Sequence, residues 1–370
     1  MKQRSVWGAA ALTVTAAVAM GCAVEQLDAN EAEETQALAG GPCGDELCGQ
    51  NSPVIDVFQF HDANTRGLPN NIGLTIDTVS GRAQIVKGTV SYDLVVHDAH
   101  LSGVRGTTVI SGTQLIGATI PVSQGKSHWQ IAITDARELP YYVGAPGKVG
   151  TYKIEVHSGE GAVMELCSNR RLLEKMIADQ GGLESDYARL ELMGMRTWET
   201  VFFEGDRVDS PSKTTSKDAA IDDTWFNIGC AGHMLAKLLL TRNTYHSQAP
   251  GIPRAWEQRQ ATLKMYAADY CGNGIPFTVA GQKLVWQGDA MSYGIPPKEI
   301  EARWNQNGAI CLNVPRLVHA SSPLGVSTYP DVRRSIRTLC VNPDPPPPPC
   351  LNTNPYDFAG ADRVSGNPPW

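Results

Sequence analysis

Cysteines place the strongest constraint on how this chain folds, because each disulfide fixes two distant points of the backbone. The sequence contains nine cysteines among 370 residues. Whether they pair depends on the compartment, since disulfides persist in oxidising environments and are rare in the cytosol. The segment that decides the compartment is the N-terminus.

The first 21 residues have the features of a secretion signal. Lys2 and Arg4 precede an apolar segment, residues 6–20, that is too short to span a membrane as a helix. The sequence AMGC at residues 19–22 resembles a bacterial lipobox, in which the cysteine is lipidated and becomes the mature N-terminus. The alternative is ordinary cleavage after the A-x-A-like residues 17–19.

Cys22 is the predicted lipidation site, and the membrane that its lipid enters is the first expected partner. Ala23 rather than an aspartate follows Cys22, and by analogy with Gram-negative sorting this indicates the outer membrane. A glyceride together with an N-acyl chain supplies the more than one buried chain that stable anchoring requires. We therefore expect an exported lipoprotein in the outer membrane of a Gram-negative bacterium.

Export would leave eight cysteines in an oxidising compartment, and an even number there predicts a disulfide framework. These disulfide candidates are Cys43, Cys48, Cys167, Cys230, Cys271, Cys311, Cys340 and Cys350.

Changes in residue pattern along the chain predict an α+β fold in five segments. Branched apolar residues alternate with polar ones in the first half, with glycine-rich turns between them, whereas apolar residues recur at helical spacing in the second half. The segments are a signal peptide, 1–21; a lipidated N-terminus and acidic tether, 22–52; a small β-sandwich or barrel-like domain, 53–160; a disulfide-braced helical domain with a β-hairpin, 161–355; and a loosely ordered tail, 356–370.

The second half contains the helices that we predict from this spacing. The helical segments are residues 167–182, 224–243, 254–271 and 330–340, and the hairpin is residues 276–286. The segment 224–243 has the most pronounced apolar stripe of the four.

Charge excludes one class of function. The formal net charge is −7 and the isoelectric point is near 5.6. A nucleic-acid-binding protein presents a basic face to the phosphate backbone, so we expect no nucleic-acid partner.

Four blocks of sequence carry a family resemblance. They are FNIGCAGHMLAKLLL at 226–240, LKMYAADYCGNGIPFTVAGQKLVW at 263–286, EARWNQNGAICLNVPR at 301–316, and a cysteine, proline run and cysteine at 340–350. Together they resemble the ADYC domain, a family of exported bacterial proteins named for the tetrapeptide at residues 268–271. The resemblance covers about 161–355 and brings no assigned biochemical function.

The predicted disulfide pairing joins Cys230 to Cys271. Residues 243–253 connect two predicted helices, which should pack antiparallel and place the start of one near the end of the other. In an antiparallel helix pair, the residue numbers of facing residues add up to a nearly constant sum. The resemblance implies extra family cysteines where this chain has Leu238 and Thr262, and the sum of these two residue numbers is nearly the same as that of Cys230 and Cys271. The other pairs are Cys43–Cys48 by proximity, Cys340–Cys350, and Cys167–Cys311 by elimination.

Cys271 could be a disulfide partner, a nucleophile or a metal ligand. It ends a predicted helix, where the helix dipole disfavours the thiolate that a nucleophile needs. His233 or His319 could approach it in space to act as a base. We favour the disulfide.

Asp269 also lies at that helix end, where an acidic side chain is disfavoured unless something compensates. It could accept backbone N–H groups from residues 272–274, or pair with Arg303 or Arg316. The alternative is a catalytic acid, with His233 as the second catalytic candidate.

Three further motifs resemble metal or nucleotide sites, but each departs from the pattern that such a site requires. We therefore predict no metal site and no cofactor. DYCGNG resembles a calcium loop, but Cys271 and Ala280 stand where two main ligands should be. SQGKS resembles the end of a P-loop, but Ile120 stands at the first glycine position. In HDAH at 97–100, the two histidines would point to opposite faces of a strand, so shared metal binding requires a turn there. Solvated surface histidines are the favoured interpretation.

These features favour a non-enzymatic binding or structural module of the cell envelope, whose partner would be an unknown envelope protein or ligand. The alternative is an extracytoplasmic hydrolase with a polar pocket beside the ADYC helix. A convergent polar cluster in a concave pocket would favour the enzyme, and a flat or apolar exposed patch would favour the binding module.

Overall fold

The structure is a computed structural model of the chain. It describes residues 49–50, 61–142, 147–159, 161–167, 191–192, 194–196, 198–209, 212–246, 255–275, 277, 283–288, 299–313, 315, 340, 347–351 and 363–367. The predicted signal peptide, Cys22, Cys43, Cys48, most of the predicted helix 167–182 and the predicted helix 330–339 lie outside these residues.

Within the described residues the protein forms twenty strands and two α-helices. Strands β1 to β10 are Gly49–Gln50, Asp62–Asn64, Leu74–Ile76, Thr78–Val79, Arg82–Lys87, Val90–His97, His100–Arg105, Thr108–Ser111, Ala118–Gln124 and Ser127–Pro140. Strands β11 to β20 are Lys148–Ser158, Val163–Glu165, Glu191–Leu192, Met195–Arg196, Glu199–Gly205, Asp222–Cys230, Lys283–Gly288, Glu299–Asn305, Gly308–Leu312 and Arg363–Asn367. The α-helices are α1, Met234–Leu240, and α2, Trp256–Ala267. No helix among the described residues combines the length and apolar character needed to cross a membrane.

Most strands belong to one antiparallel sheet. Its thirteen strands follow the order β2-β16-β15-β11-β10-β9-β5-β6-β7-β8, with β12 beside β11, β3 beside β9 and β4 beside β5. Strand β9 shows why the sheet forms, because Ala118, Ile120 and Val122 are buried at every second position. The predicted β region is therefore confirmed as antiparallel strands.

A second antiparallel sheet has five strands in the order β1-β17-β20-β18-β19, and β13 and β14 form a small hairpin. Strand β17 overlaps the end of the predicted hairpin 276–286, but its described neighbours are β1 and β20. The predicted loosely ordered tail is wrong for residues 363–367, because β20 lies inside this sheet and buries Arg363 and Ser365.

Two hydrophobic cores lie on opposite faces of the large sheet. Strands β6 and β7 contact β15 although they are distant from it in the sheet order, so the sheet curls over itself and encloses the first core. The second core lies between the sheet and the helices. Strand β15 serves both, because Phe202 belongs to the first core while Val201 and Phe203 belong to the second. All seven residues of β15 are accordingly buried.

The prediction of one helix over 224–243 is wrong in its first half. Asp222–Cys230 is strand β16, and helix α1 begins only at Met234. Strand and helix pack so closely that a β-carbon at Gly229 would lie 2.7 Å from the backbone nitrogen of Ala236. The prediction of a helical second domain is corrected with it, since the residues of this half that the structure describes are largely β. By contrast, α2 confirms the helix predicted within 254–271.

Candidate functional site

Helix α2 is the element on which the predicted site depends, and it is buried over most of its length. Every residue from Arg259 to Ala267 is buried, including the charged side chains of Arg259 and Lys264. A charge buried without a partner is very costly. The helix is therefore stable only because nearby polar groups are fixed in place around it.

Arg259 is held by the loop that precedes β16. Its guanidinium lies 3.2 Å from a carboxylate oxygen of Asp206 and 2.7 Å from one of Asp218, and it donates to the Ser216 carbonyl at 2.8 Å. Burial raises the pKa of Asp206 to about 6, although the positive charge of Arg259 opposes this. Asp206 also accepts the backbone N–H of Tyr245 at 2.6 Å.

Lys264 is the cationic partner of Asp269. Its amine lies 2.5 Å from Asp269 Oδ2 and also donates to the carbonyl oxygens of Ser212 and Gly272, at 2.8 and 3.2 Å. Asp269 Oδ2 accepts the backbone N–H of Gly274 at 2.9 Å. Asp269 is completely buried. Its carboxylate therefore joins the last turn of α2 to the loop that follows.

Ala268 makes the turn into this loop. It adopts the left-handed conformation, with φ of 51°, and its N–H bonds the carbonyls of the last helical turn. Because of this turn, Tyr270, two residues after Ala268, can face the five-stranded sheet.

Tyr270 connects the loop to that sheet. Its ring stacks on Trp304 with a centroid distance of 5.2 Å, and its hydroxyl donates to Glu301. Ser365 donates to the other oxygen of Glu301 at 2.8 Å and accepts the indole N–H of Trp304 at 2.9 Å. This buried network joins the end of α2 to β18 and β20.

Cys271 forms a disulfide with Cys340, with a Cα–Cα distance of 5.1 Å. The other disulfides of the described residues are Cys167–Cys230 and Cys311–Cys350, with Cα–Cα distances of 5.4 and 4.9 Å. The predicted pairs Cys230–Cys271, Cys340–Cys350 and Cys167–Cys311 are therefore wrong. Cys230 ends strand β16 rather than beginning a helix, so it does not belong to the helix pair on which its predicted bond to Cys271 depended.

The comparison with known families identifies the family of this chain. The profile of the ADYC domain matches residues 112–318, more than half of the chain. The chain belongs to the ADYC domain family. The match begins within the large sheet, well before residue 161, and it ends before Cys340 and Cys350, the disulfide partners of Cys271 and Cys311. No curated protein and no solved structure matches the chain significantly.

The ADYC disulfides indicate an extracytoplasmic protein, because such bonds persist outside the reducing cytosol. The ADYC tetrapeptide itself combines a left-handed helix end, a buried ion pair, a stacked ring and a disulfide. Lys264 and Glu301, which hold the Asp and Tyr of the tetrapeptide, were not singled out from the sequence.

His233, the other catalytic candidate, lies at the start of α1 rather than beside Asp269. It is 3% exposed, and burial, aided by the positive charge of Lys237, lowers its pKa to about 4. Its Nε2 atom has no hydrogen-bond partner among the described residues. No hydrogen bond or ion pair joins His233 to Asp269, so these two residues do not form an acid–base pair in this structure.

One serine, histidine and aspartate do meet on the surface, in the wrong order for a triad. The hydroxyl of Ser123 lies 2.7 Å from Asp77 Oδ1 and 2.8 Å from His128 Nδ1. In a catalytic triad the histidine stands between the other two and removes the serine proton. Here the serine stands between them and donates to the carboxylate, which does not activate it. The SQGKS motif contains this serine and forms the turn between β9 and β10.

Proposed function

We propose that this ADYC protein is a non-enzymatic module of the bacterial cell envelope, which binds an envelope partner or serves a structural role. In this proposal it is held at the outer membrane by lipid on Cys22. The observation that carries the proposal is that all four residues of the ADYC tetrapeptide have structural roles. Ala268, Asp269 and Tyr270 are buried, and Cys271 is in a disulfide.

The position of the catalytic candidates supports the same conclusion. Asp269 is fully buried and paired with Lys264, and His233 is buried with no hydrogen bond or ion pair to Asp269. A general acid or base has to come within hydrogen-bond reach of a substrate proton. The hydrolase alternative would therefore require the core around α2 to open.

An activity comparison separates the two functions. The purified protein and the His233→Gln variant would be assayed on chromogenic esters, phosphoesters, glycosides and peptides. We expect no turnover above the buffer rate for either protein. Turnover by the wild type that the His233→Gln variant loses, while it keeps its circular dichroism spectrum, would contradict the proposal and support the hydrolase.

A crosslinking experiment tests the binding role directly. Val163 and Met164 lie on β12 and are 59% and 62% exposed. A photo-crosslinking amino acid at position 164 in intact cells should give a discrete adduct, and the same amino acid at Lys126, on an exposed hairpin turn, is the matched control. Adducts equal in size and yield at both positions would mean that no specific partner is bound at β12.

The anchoring part of the proposal is tested by Cys22→Ala. We expect this variant to leave the membrane fraction or to accumulate unprocessed. A variant that fractionates and migrates like the wild type would show that Cys22 is not lipidated.

A further inference from the structure

The hairpin of β6 and β7 closes with a two-residue turn between His97 and His100. Asp98 and Ala99 both have positive φ, 47° and 57°, which is the backbone of a type I′ turn. His97 and His100 are cross-strand partners. The turn required for the two histidines to share a face is therefore present, since cross-strand partners lie on the same face of a sheet.

Glu204 lies beneath this turn. It is 2% exposed, on β15, and its carboxylate accepts the backbone N–H groups of Asp98 at 2.7 Å and Ala99 at 3.5 Å. Its Oε1 atom lies 3.6 Å from His97 Nδ1. No lysine or arginine of the described residues forms an ion pair with Glu204, so His97 is the only potentially cationic side chain that does.

The spacing of these groups matches a small divalent cation. A tetrahedral zinc ion with bonds of about 2.0–2.1 Å places its ligand atoms roughly 3.4 Å apart. The Glu204 Oε1 to His97 Nδ1 distance, 3.6 Å, is close to that value. Ligand atoms of His97, Asp98 and Glu204 all lie within 4.8 Å of one another. Asp98 Oδ2 lies 3.6 Å from His97 Nε2, the ring nitrogen that does not face Glu204, but its side chain is 76% exposed and has room to turn towards Nδ1.

We propose that His97, Asp98 and Glu204 bind a divalent transition-metal ion, with zinc as the best match. One imidazole and two carboxylates are ligands of zinc and related ions, whereas calcium and magnesium prefer oxygen ligands alone. His97 and Asp98 are largely exposed, which leaves a fourth coordination position open to water. This site is distinct from the ADYC tetrapeptide and independent of the proposed binding role.

Two substitutions separate metal binding from the structural role of Glu204. In Glu204→Gln the side-chain carbonyl still accepts the Asp98 N–H, but the negative charge is lost. In Asp98→Asn the turn keeps a residue that tolerates positive φ, again with one ligand charge removed. His97→Ala removes the imidazole, and His157→Ala is the control, because His157 is also a strand histidine beside a carboxylate, 3.5 Å from Glu155, although it is half-buried.

The experiment is calorimetric titration of the chelator-treated full chain with zinc chloride. We expect saturable binding of one equivalent, at least ten-fold weaker in His97→Ala, Asp98→Asn and Glu204→Gln and unchanged in His157→Ala. Cobalt(II) titration should give visible bands of a tetrahedral ion that His97→Ala abolishes. Absence of saturable binding by the wild type, or equal affinity in His97→Ala, would overturn the proposal. If Glu204→Gln fails to fold, the His97→Ala and Asp98→Asn variants decide the outcome.

Discussion

The backbone of Gly272 packs directly against the carbonyl group of Asn307, in the turn between β18 and β19. A β-carbon at position 272 would overlap that carbonyl oxygen, and φ at Gly272 is +68°. The N–H of Ala309 donates to the carbonyl of Tyr270 at 3.1 Å beside this contact. The loop after the ADYC tetrapeptide and the β18–β19 hairpin therefore fit together only with glycine at position 272.

The first prediction concerns this contact. We expect Gly272→Ala to lower the free energy of unfolding by about 2–5 kcal/mol, as the sum of a positive-φ cost of about 1–2 kcal/mol and an overpacking cost of about 1–3 kcal/mol. Gly81→Ala is the control, because Gly81 has a similar φ of +74° and nothing within 4 Å of an added β-carbon. Denaturant titration measures both variants. Equal losses would show that the Asn307 contact is unimportant.

The second prediction concerns the buried ion pair of Lys264 and Asp269. Lys264→Met leaves the Asp269 carboxylate buried without its cation, and we expect a loss of about 3–5 kcal/mol in the free energy of unfolding. Lys148→Met removes an exposed pair with Glu138, at 3.2 Å, and should cost less than about 1 kcal/mol. Chemical denaturation of both variants tests the difference. A Lys264→Met protein as stable as Lys148→Met would contradict the structure.

The third prediction is a pH dependence due to His233. Its folded pKa of about 4 lies below the ordinary value of 6.5, so between these values the unfolded chain binds a proton that the folded chain does not. Stability is therefore complete above about pH 6.5 and falls as the pH falls towards 4, with about 2 kcal/mol lost by about pH 5.

The measurement for His233 is the free energy of unfolding at about pH 7.5 and pH 5 for the wild type and His233→Gln. Asp206, whose raised pKa acts in the opposite direction over this range, is common to both proteins and cancels in the difference. The wild type should lose about 2 kcal/mol more than the variant on acidification. Parallel pH curves would mean that His233 is not buried as a neutral side chain.

The fourth prediction is the disulfide map. Non-reducing peptide mapping should find Cys167–Cys230, Cys271–Cys340 and Cys311–Cys350. The sequence separation of 69 residues between Cys271 and Cys340 implies that the double serine variant loses about 4 kcal/mol of stability by the chain-entropy argument. A peptide that links Cys230 to Cys271, or a free thiol at Cys271, would show that the connectivity is wrong.

The strands of the first half and helix α2 could be predicted because one local pattern decides each of them. Strand β9 alternates buried and partly exposed positions, as a sheet with one covered face requires. Helix α2 follows a proline-containing loop and has no proline within it. It ends shortly before a glycine-containing turn. Local sequence carried enough information in both cases.

Strand β16 could not be predicted because both faces of its second half, residues 226–230, are buried. Phe226 and Ile228 lie in the first core, while Asn227 and Gly229, on the opposite face, are also buried, and Gly229 packs against α1. A continuous apolar segment of this kind fits a buried helix as well as a buried strand. The wrong disulfide pairing followed directly, since it depended on Cys230 being at the start of a helix.

At the ADYC site the turn was predictable and the partners were not. The sequence indicated that Asp269 could accept an N–H from residues 272–274, and Gly274 provides one. Its cation is Lys264 rather than the arginines considered, and the partner of Tyr270 is Glu301, some thirty residues away. Contacts between a helix end and a distant sheet depend on topology that no local pattern contains.

The order of the last two disulfides has a consequence for biogenesis. Along the chain the cysteines occur as Cys271, Cys311, Cys340 and Cys350, so the bonds Cys271–Cys340 and Cys311–Cys350 interleave. A chain that is oxidised as it emerges N-terminus first would join Cys271 to Cys311, the first thiol that it meets. Reaching the native bonds then requires thiol–disulfide exchange through a mixed disulfide. Production of this protein should accordingly depend on a disulfide isomerase, and an oxidant alone should yield scrambled chains.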